Sequence, residues 1–374
     1  MALTKYTLGD LIGRNKETNF DLKYGVEDVR GVLNTKGISS TKVNVEDRDL
    51  SKFLVVKPGG FIFNHRVHDK LGLGYNTSCD TYIFTNDYVS FYIKPEIKET
   101  VILPEYLYIW FLRPEFDRYM LFKTYGSATL FFNWDNMCEL EIKLPDIGVQ
   151  RKCVAIYKAM VANQQSYERG LEDLKLVCDG YIEDLRKKMP CKKIGDYILE
   201  QNNRNNDLSI TNVQGVNSSS RFDETKANTN GLDFKNYKIV QTGDFAYNPS
   251  RINLGSIALL RNENCIVSPM YIVFRMIDVN QLLPEYLMLW FERKEFQRST
   301  LFYATGSVRD TFTFDLMKEV RIPIPDIEVQ KAIANIYKAY ITRKQINEQL
   351  KEQIKNICPI LIKGSLEESN ESNY

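Results

Sequence analysis

LPEYLYIWFLRPEF, residues 103–116, returns as LPEYLMLWFERKEF at residues 283–296. A recurrence of that length and order signals an internal repeat, and a repeat must be recognised before any other reading of the fold. The match continues without a gap at an offset of 180. Arg113, Glu115, Phe116 and Arg118 return as Arg293, Glu295, Phe296 and Arg298, and Gly126-Ser127 as Gly306-Ser307. Pro145-Asp146-Ile147 with Val149-Gln150 returns as Pro325-Asp326-Ile327 with Val329-Gln330, and Ile156–Ala159 as Ile336–Ala339. About half of positions 103–159 are identical to their counterparts. The chain is a duplication.

Pro104 and Pro284 stand where a helix can begin, because the first turn needs no amide hydrogen there. Leu107, Trp110 and Phe111 then share one helical face. Upstream the copies match more loosely. Leu8-Gly9-Asp10-Leu11-Ile12 pairs with Ile194-Gly195-Asp196-Tyr197-Ile198, and FLVVKPGGFIFN (53–64) with YKIVQTGDFAYN (237–248). Each of these last stretches reads as two strands around a turn, at Pro58-Gly59-Gly60 and Thr242-Gly243-Asp244. Asp21–Lys52 and Asp207–Asn236 match poorly, so divergence concentrates there.

Past Pro145-Asp146 the apolar spacing becomes that of a long helix. Tyr157, Met160, Gln164, Tyr167, Leu171, Leu174, Cys178, Tyr181 and Leu185 follow three- and four-residue steps, a heptad seam. Tyr340, Asn347, Leu350, Ile354, Ile357 and Leu361 repeat it near the C-terminus, with Tyr337 just upstream. Pro359 is expected to kink or end the second helix. Roughly 40 helical residues make about 60 Å. Two such helices most simply bury their stripes on each other, through Tyr157, Met160, Tyr167, Leu174 and Tyr181 on one and Tyr337, Tyr340, Leu350, Ile354 and Leu361 on the other. The alternative packs each helix on its own globular domain.

The expected fold is therefore mixed α/β (α+β): two similar domains, 1–146 and 191–326, separated by long helices 147–190 and 327–364 pairing as an antiparallel coiled coil, with a frayed polar tail at 365–374. Seven cysteines, odd in number and never in CxxC spacing, suit a reducing cytoplasm and argue against disulfides and structural zinc. No apolar run is long enough to span a membrane. The net charge is only +1, low for a protein that holds DNA alone, and compatible with partners that share the phosphate contacts.

The ordered set of KPGGFIFN/QTGDFAYN units, LPEYL helices, Gly-Ser segments and LPDIGVQ/IPDIEVQ lead-ins, occurring twice, resembles the specificity (S) subunits of type I restriction–modification systems. The resemblance covers nearly the whole chain. It implies two target-recognition domains, each reading one half of a split double-stranded DNA target, with paired helices fixing the gap. It also implies partners: two modification subunits that use S-adenosylmethionine to methylate adenine, and motor-nuclease subunits that bring ATP and Mg. This chain itself would hold no cofactor and perform no catalysis.

Candidate DNA contacts follow the second strand of each copy: Asn64, Arg66 and His68, then Asn248, Ser250, Arg251 and Asn253. Arg and Asn are the side chains that read guanine and adenine edges in the major groove; turn chemistry explains the same residues equally simply. Asn217, Ser219 and Arg221 lie in the divergent, donor-rich stretch of the second copy, which also holds Lys226. Ser127, and Ser307 with Arg309, follow glycines that permit close backbone approach to phosphate. Arg113, Arg118, Arg293 and Arg298 fit ion pairs or a solvated face better than DNA.

Catalytic readings fail on the residues. Asn248-Pro249 shares two residues with the N-P-P-aromatic motif of adenine methyltransferases but lacks the rest. Asp146, Asp173 and Lys175 imitate a nuclease pattern, yet two of them fall inside the heptad helix. There is no GxxxxGK[ST] loop, and His65 and His68 have no partner at zinc-ligand spacing. The competing readings are a specificity subunit served by a fused nuclease-methylase, a free-standing degenerate methyltransferase, and a protein-binding scaffold.

Overall fold

The computed structural model describes residues 3–41, 44–45, 47–126, 130–225, 231–303 and 311–371. In the first copy the order is β1 (Thr4–Thr7), α1 (Leu8–Leu11), β2 (Ile12–Asn15), β3 (Arg30–Val32), β4 (Ile38–Ser40), β5 (Leu54–Val56), β6 (Phe61–Asn64), β7 (Arg66–Val67), β8 (Leu73–Tyr75), β9 (Tyr82–Phe84) and β10 (Tyr88–Ile93). Then come α2 (Pro104–Phe111), α3 (Pro114–Lys123), β11 (Leu130–Phe131), α4 (Trp134–Cys138), β12 (Glu141–Leu144) and the long α5 (Ile147–Lys188). The second copy repeats it: β13 (Cys191–Lys193), β14 (Ile198–Gln201), β15 (Gln214–Val216), β16 (Phe222–Glu224), β17 (Lys238–Val240), β18 (Phe245–Tyr247), β19 (Ile257–Leu259), β20 (Cys265–Val267) and β21 (Ile272–Met276). It closes with α6 (Pro284–Phe291), α7 (Lys294–Tyr303), α8 (Phe314–Glu319), β22 (Arg321–Pro323) and α9 (Ile327–Glu371).

Each copy builds an antiparallel four-stranded sheet in the same order, β2-β10-β6-β8 and β14-β21-β18-β19. The strands flanking each Gly turn do not pair with one another. β5 pairs with β9 while β6 pairs with β10 and β8, and the second copy does likewise. The turn therefore hands the chain from one sheet to another, with Gly59 and Gly243 at φ +80° and +94°, where a side chain would be strained. Pro104 and Pro284 occupy the first turns of α2 and α6. Those helices cover one sheet face through an aromatic ladder. Phe61 and Phe91 stack at 5.0 Å, Phe245 and Phe274 at 4.9 Å, and Phe111–Phe116 and Phe291–Phe296 each stand 4.9 Å apart. All of these rings are buried.

The repeated PDI-x-VQ lead-in has a structural cause. Gln150 is fully buried; its carbonyl accepts from Leu103 N at 3.0 Å, and its amide donates to Val101 O and Pro145 O, both at 2.9 Å. Gln330 makes the same three bonds to Leu283 N, Gln281 O and Pro325 O. One side chain thus ties the start of each long helix to the start of the LPEYL helix.

The chain divides into two compact units, Met1–Gln165 with Glu348–Tyr374, and Ser166–Asn347. The expected boundaries at 146/147, 190/191 and 326/327 fall close to helix ends, but the units cut both long helices, so each contains half of α5 and half of α9. In the first unit Cys153 Sγ meets Leu361 O at 3.6 Å and Lys152 pairs with Glu368. In the second the Arg343 guanidinium lies 4.8 Å over the Tyr167 ring, and Cys178 and Tyr337 share a core cluster. In each unit the two helix halves run antiparallel. They also join that unit's domain core: Cys153, Val154, Cys358, Leu361 and Ile362 in the first, Cys178, Ile182, Ile333 and Tyr337 in the second. Both packing modes anticipated for the helices are therefore present together.

Most of the expected seam faces inward. Tyr157, Met160, Tyr167, Leu174, Tyr340, Leu350 and Ile354 are half-buried, and Tyr337 and Leu361 are buried. Tyr181 is not part of it: it is 50% exposed, and Ile182 takes the buried place. A helix of 3.6 residues per turn drifts from a strict heptad, and packing on the domain core fixes 182 as the inward position. A second correction concerns the end of the chain. α9 runs through Pro359 to Glu371, and Ser365 is buried, with its hydroxyl 2.8 Å from Tyr106 OH. Proline inside a helix costs about 3 kcal/mol. Burying Leu361 and Ile362 returns roughly 1.5–3 kcal/mol each, enough to carry the helix past it.

Candidate nucleic-acid interface

In the second unit, two loops that are distant in sequence meet. The turn Asn217–Arg221 joins β15 to β16, and Ser220 Oγ donates to Gly255 O at 3.0 Å. Gly255 is at φ +87°, and a Cβ there would stand 2.8 Å from Ser218 O, so the Asn248–Gly255 loop and the hairpin turn touch backbone to backbone. Asn217 is used up in shaping the turn: its carbonyl accepts from Ser219 N and Arg221 N, and its amide donates to Asp223. Asn248 is buried and accepts from Ser250 N at 3.0 Å. The structure therefore gives both asparagines turn roles; for Asn248 this is the turn chemistry that the sequence left open. Ser219 and Arg251 are exposed, and Arg221, Ser250 and Asn253 half-exposed, on the joined loops. Among the described residues neither Arg221 nor Arg251 makes an ion pair.

The first unit builds the same platform with other side chains. Its turn, Leu33–Gly37, is bonded to Leu73 through Gly37 N at 2.7 Å. Asn64 accepts from Arg66 N at 3.0 Å, as Asn248 does from Ser250. Arg66 is exposed and 3.6 Å from Asp87, and His68 is exposed. The β7–β11 pairing and the bond from Phe132 N to His65 O bring the Gly126 segment against this loop, where the His65 ring stacks on Phe131 at 5.5 Å. Beside it, a cleft of about 320 Å³ is lined by Arg14, His65, Asn86, Asp87, Tyr125 and Trp134. In the second unit Phe312 N bonds Pro249 O in the corresponding way. Ser127, Ser307, Arg309 and Lys226 lie outside the described residues.

The sequence reading missed Lys36. It adopts φ +64° at the tip of the first hairpin, and its ammonium is buried against Asp117 of α3 at 2.7 Å and over the Phe116 ring at 5.3 Å. Burial pushes its pKa down, and the Asp117 carboxylate opposes that shift. Ser220, at φ +57°, is its counterpart. Also unread were Asn19 and Asn205, buried and each bonded both ways to the residue five positions on. They hold Leu22 and Leu208 at φ +54° and +56°. The shared Asn-x-Asp-Leu at 19–22 and 205–208 was the available signal. The arginines expected to stay within the molecule do so. Arg113 stacks on Trp110, Arg118 pairs with Glu115 and Arg298 with Glu295, and the buried Arg293 pairs with Asp179, Glu183 and Glu295.

No group of three His, Cys, Asp or Glu residues among those described could hold a metal, and no described helix is long and apolar enough to cross a membrane. Two repeated sheet domains carrying paired loops, each followed in sequence by a long helix, define a duplicated protein. The S subunit of a type I restriction–modification system from M. genitalium superposes with a TM-score of 0.53 at 12% identity, over 98% of this chain and 95% of that one, and shows the same fold. Also similar are the HsdS subunit from Thermoanaerobacter tengcongensis (TM-score 0.40, 14% identity, 98% of this chain and 96% of that one) and a chain from a structure on complex assembly and conformational transition of the type I R-M system (0.47, 13%, 98% and 98%). No curated protein matches the sequence. Residues 184–356 match the family described as type I restriction modification DNA specificity domain. The first copy repeats that domain in sequence and in sheet order, so the chain carries a DNA-specificity domain of the type I restriction–modification class and a second copy built on the same plan.

Proposed function

We propose that each domain reads one half of a bipartite double-stranded DNA target, that α5 and α9 set the distance between the halves, and that the chemistry resides on partner chains. Duplication of a DNA-specificity domain within one chain is the observation that carries this reading. Two tethered readers present related surfaces to a duplex as a dimer does to half-sites, while separate copies can diverge toward an asymmetric target. Exposed Arg66 and His68 in the first domain, and Ser219, Arg221, Ser250, Arg251 and Asn253 in the second, supply donors for bases and phosphates. Ser127, Ser307 and Arg309 remain candidates from the sequence. The near-zero net charge favours an assembly in which others share the phosphate contacts. Those others are two modification subunits that bring S-adenosylmethionine and motor-nuclease subunits that bring ATP and Mg, acting on DNA in the cytoplasm.

Methylome sequencing of a host expressing the chain with its partners tests this directly. Exchanging residues 1–146 for the domain of a relative is expected to change one half-site and leave the other half-site intact. Inserting one heptad after Tyr167 is expected to alter the gap or abolish methylation without changing either half-site preference. A domain exchange that rewrites both halves, or neither, refutes modular reading.

A further inference from the structure

A third turn in each domain is built onto the two loops already described. Thr85–Tyr88 links β9 to β10 and is closed by Tyr88 N on Thr85 O at 3.2 Å. Ser268–Tyr271 links β20 to β21 and is closed by Tyr271 N on Ser268 O at 3.0 Å. Both turns end on a tyrosine whose hydroxyl reaches the neighbouring hairpin. Tyr271 OH accepts from Val216 N at 3.2 Å, and Tyr88 OH bonds the backbone of Val32, which holds the place of Val216 in the β3–β4 hairpin. The strands that follow run beside the other loop, with Tyr88 opposite Asn64 and Ile272 opposite Tyr247. In the first domain the turn also touches that loop. Asp87 O accepts from the His65 ring, and the Asp87 carboxylate stands 3.6 Å from Arg66.

The frame of this turn is kept and its tip is not. Asn86-Asp87 stands at the tip in one copy and Pro269-Met270 in the other, all four exposed. A carboxamide and a carboxylate are thus exchanged for a ring and a thioether. Packing asks for neither set, since the tips lie outside the core and Met270 is 51% exposed. Tips fixed to the proposed reading loops by the same tyrosine, yet opposite in chemistry, are what two readers of unlike half-sites need. An acid at the first tip suits phosphate badly, which turns that tip toward base edges instead of the backbone. A carboxamide matches the N6/N7 edge of adenine, and an apolar side chain matches the methyl of thymine. Free drift of an unused turn is the rival account, and it predicts that the tips can be changed without effect.

We infer that these turns form a third base-reading loop in each domain: Asn86 reads a base edge with Asp87 steadying Arg66 beside it, and Met270 makes an apolar contact in the other half-site. This rests on the reading that each domain recognises one half of a DNA target. The test uses the full chain with its partners, and selects bound duplexes from a pool randomised at both half-sites. Wild type, Asn86→Ala and Met270→Ala are compared. Asn86→Ala is expected to lower discrimination at one position of the first domain's half-site at least about five-fold and to leave the other half-site unchanged. Met270→Ala is expected to relax one position of the second domain's half-site and to spare the first. Where either variant melts early, Asn86→Leu or Met270→Gln takes its place with the same expected change of preference. Unchanged preference in the folded variants overturns the inference. A uniform loss of affinity across all sequences also overturns it, and gives the turn to phosphate contact. So does a change confined to the other domain's half-site. A wild-type complex that selects no bipartite sequence overturns the functional reading together with this one, whereas a bipartite wild type beside unaffected variants overturns this one alone.

Discussion

Replacing Gln330 with leucine removes one carboxamide from a site with no solvent access. Three hydrogen bonds go with it: the acceptor for Leu283 N at 2.9 Å, and the donors to Gln281 O at 2.9 Å and Pro325 O at 2.8 Å. Each neutral bond is worth about 0.5–1.5 kcal/mol net, and each buried partner left unsatisfied costs about 1–3 kcal/mol. Leucine recovers part of this through its apolar surface, so the net loss works out at about 3–5 kcal/mol. In a unit of this size 1 kcal/mol moves the melting point about 2–4 °C, which puts the expected fall at roughly 10 °C. In a Trp110→Phe/Trp134→Phe background Trp290 is the sole tryptophan, so its emission during urea unfolding reports the second unit. Gln330→Glu adds a check on sign. The introduced carboxyl is buried, so its folded pKa lies above its unfolded value. The deficit is then full at neutral pH and shrinks as pH falls through that raised value. A loss under about 1 kcal/mol for Gln330→Leu, or a Gln330→Glu deficit that grows on acidification, would refute the tie between helix and domain.

Lys36→Met strands the Asp117 carboxylate and is expected to cost about 3–5 kcal/mol, whereas Lys36→Met with Asp117→Leu recovers most of it; a double-mutant unfolding cycle without coupling rules this out. Glu183 is held below its ordinary carboxyl range chiefly by the Arg293 hydrogen bond. Its contribution is present above the unfolded pKa and lost as pH falls through the lower folded one. The stability gap between wild type and Glu183→Gln should therefore narrow on acidification, and urea titrations at pH 7 and pH 3 that show a constant gap contradict it. Arg251→Ala should lower the magnitude of the salt slope of DNA binding by the assembled complex by about 0.9 at an unchanged melting point; an unchanged slope removes Arg251 from the phosphate contacts.

What the sequence made legible follows from which constraints are local. A proline in a first helical turn, a glycine forced to positive φ and a three- or four-residue apolar step each act over a few residues, and they placed α2, α6, α5 and α9 where they stand. Tyr181 went wrong because a heptad count cannot see a domain core competing for the helix face, and a helix end at Pro359 because its local cost is outweighed by contacts made elsewhere along the chain. The strand partners were equally hidden. Nothing in FLVVKPGGFIFN says that its two strands enter different sheets.

The recognition loops resist sequence reading for a sharper reason. Leu33–Gly37 and Asn217–Arg221 close with the same pair of backbone bonds, and the fourth residue of each is left-handed. Yet one turn is anchored by a buried lysine on Asp117 and the other by a serine on Gly255 O. The anchors look unrelated because each answers to a partner far away in the chain, so divergence across Asp21–Lys52 and Asp207–Asn236 conceals a shared backbone. Base-contacting side chains are thus free to vary only within a frame whose anchor varies with its partner. Moving Asn217–Arg221 onto the first domain without also changing Asp117 would leave that carboxylate unpaired, displacing the loop that the graft was meant to transfer.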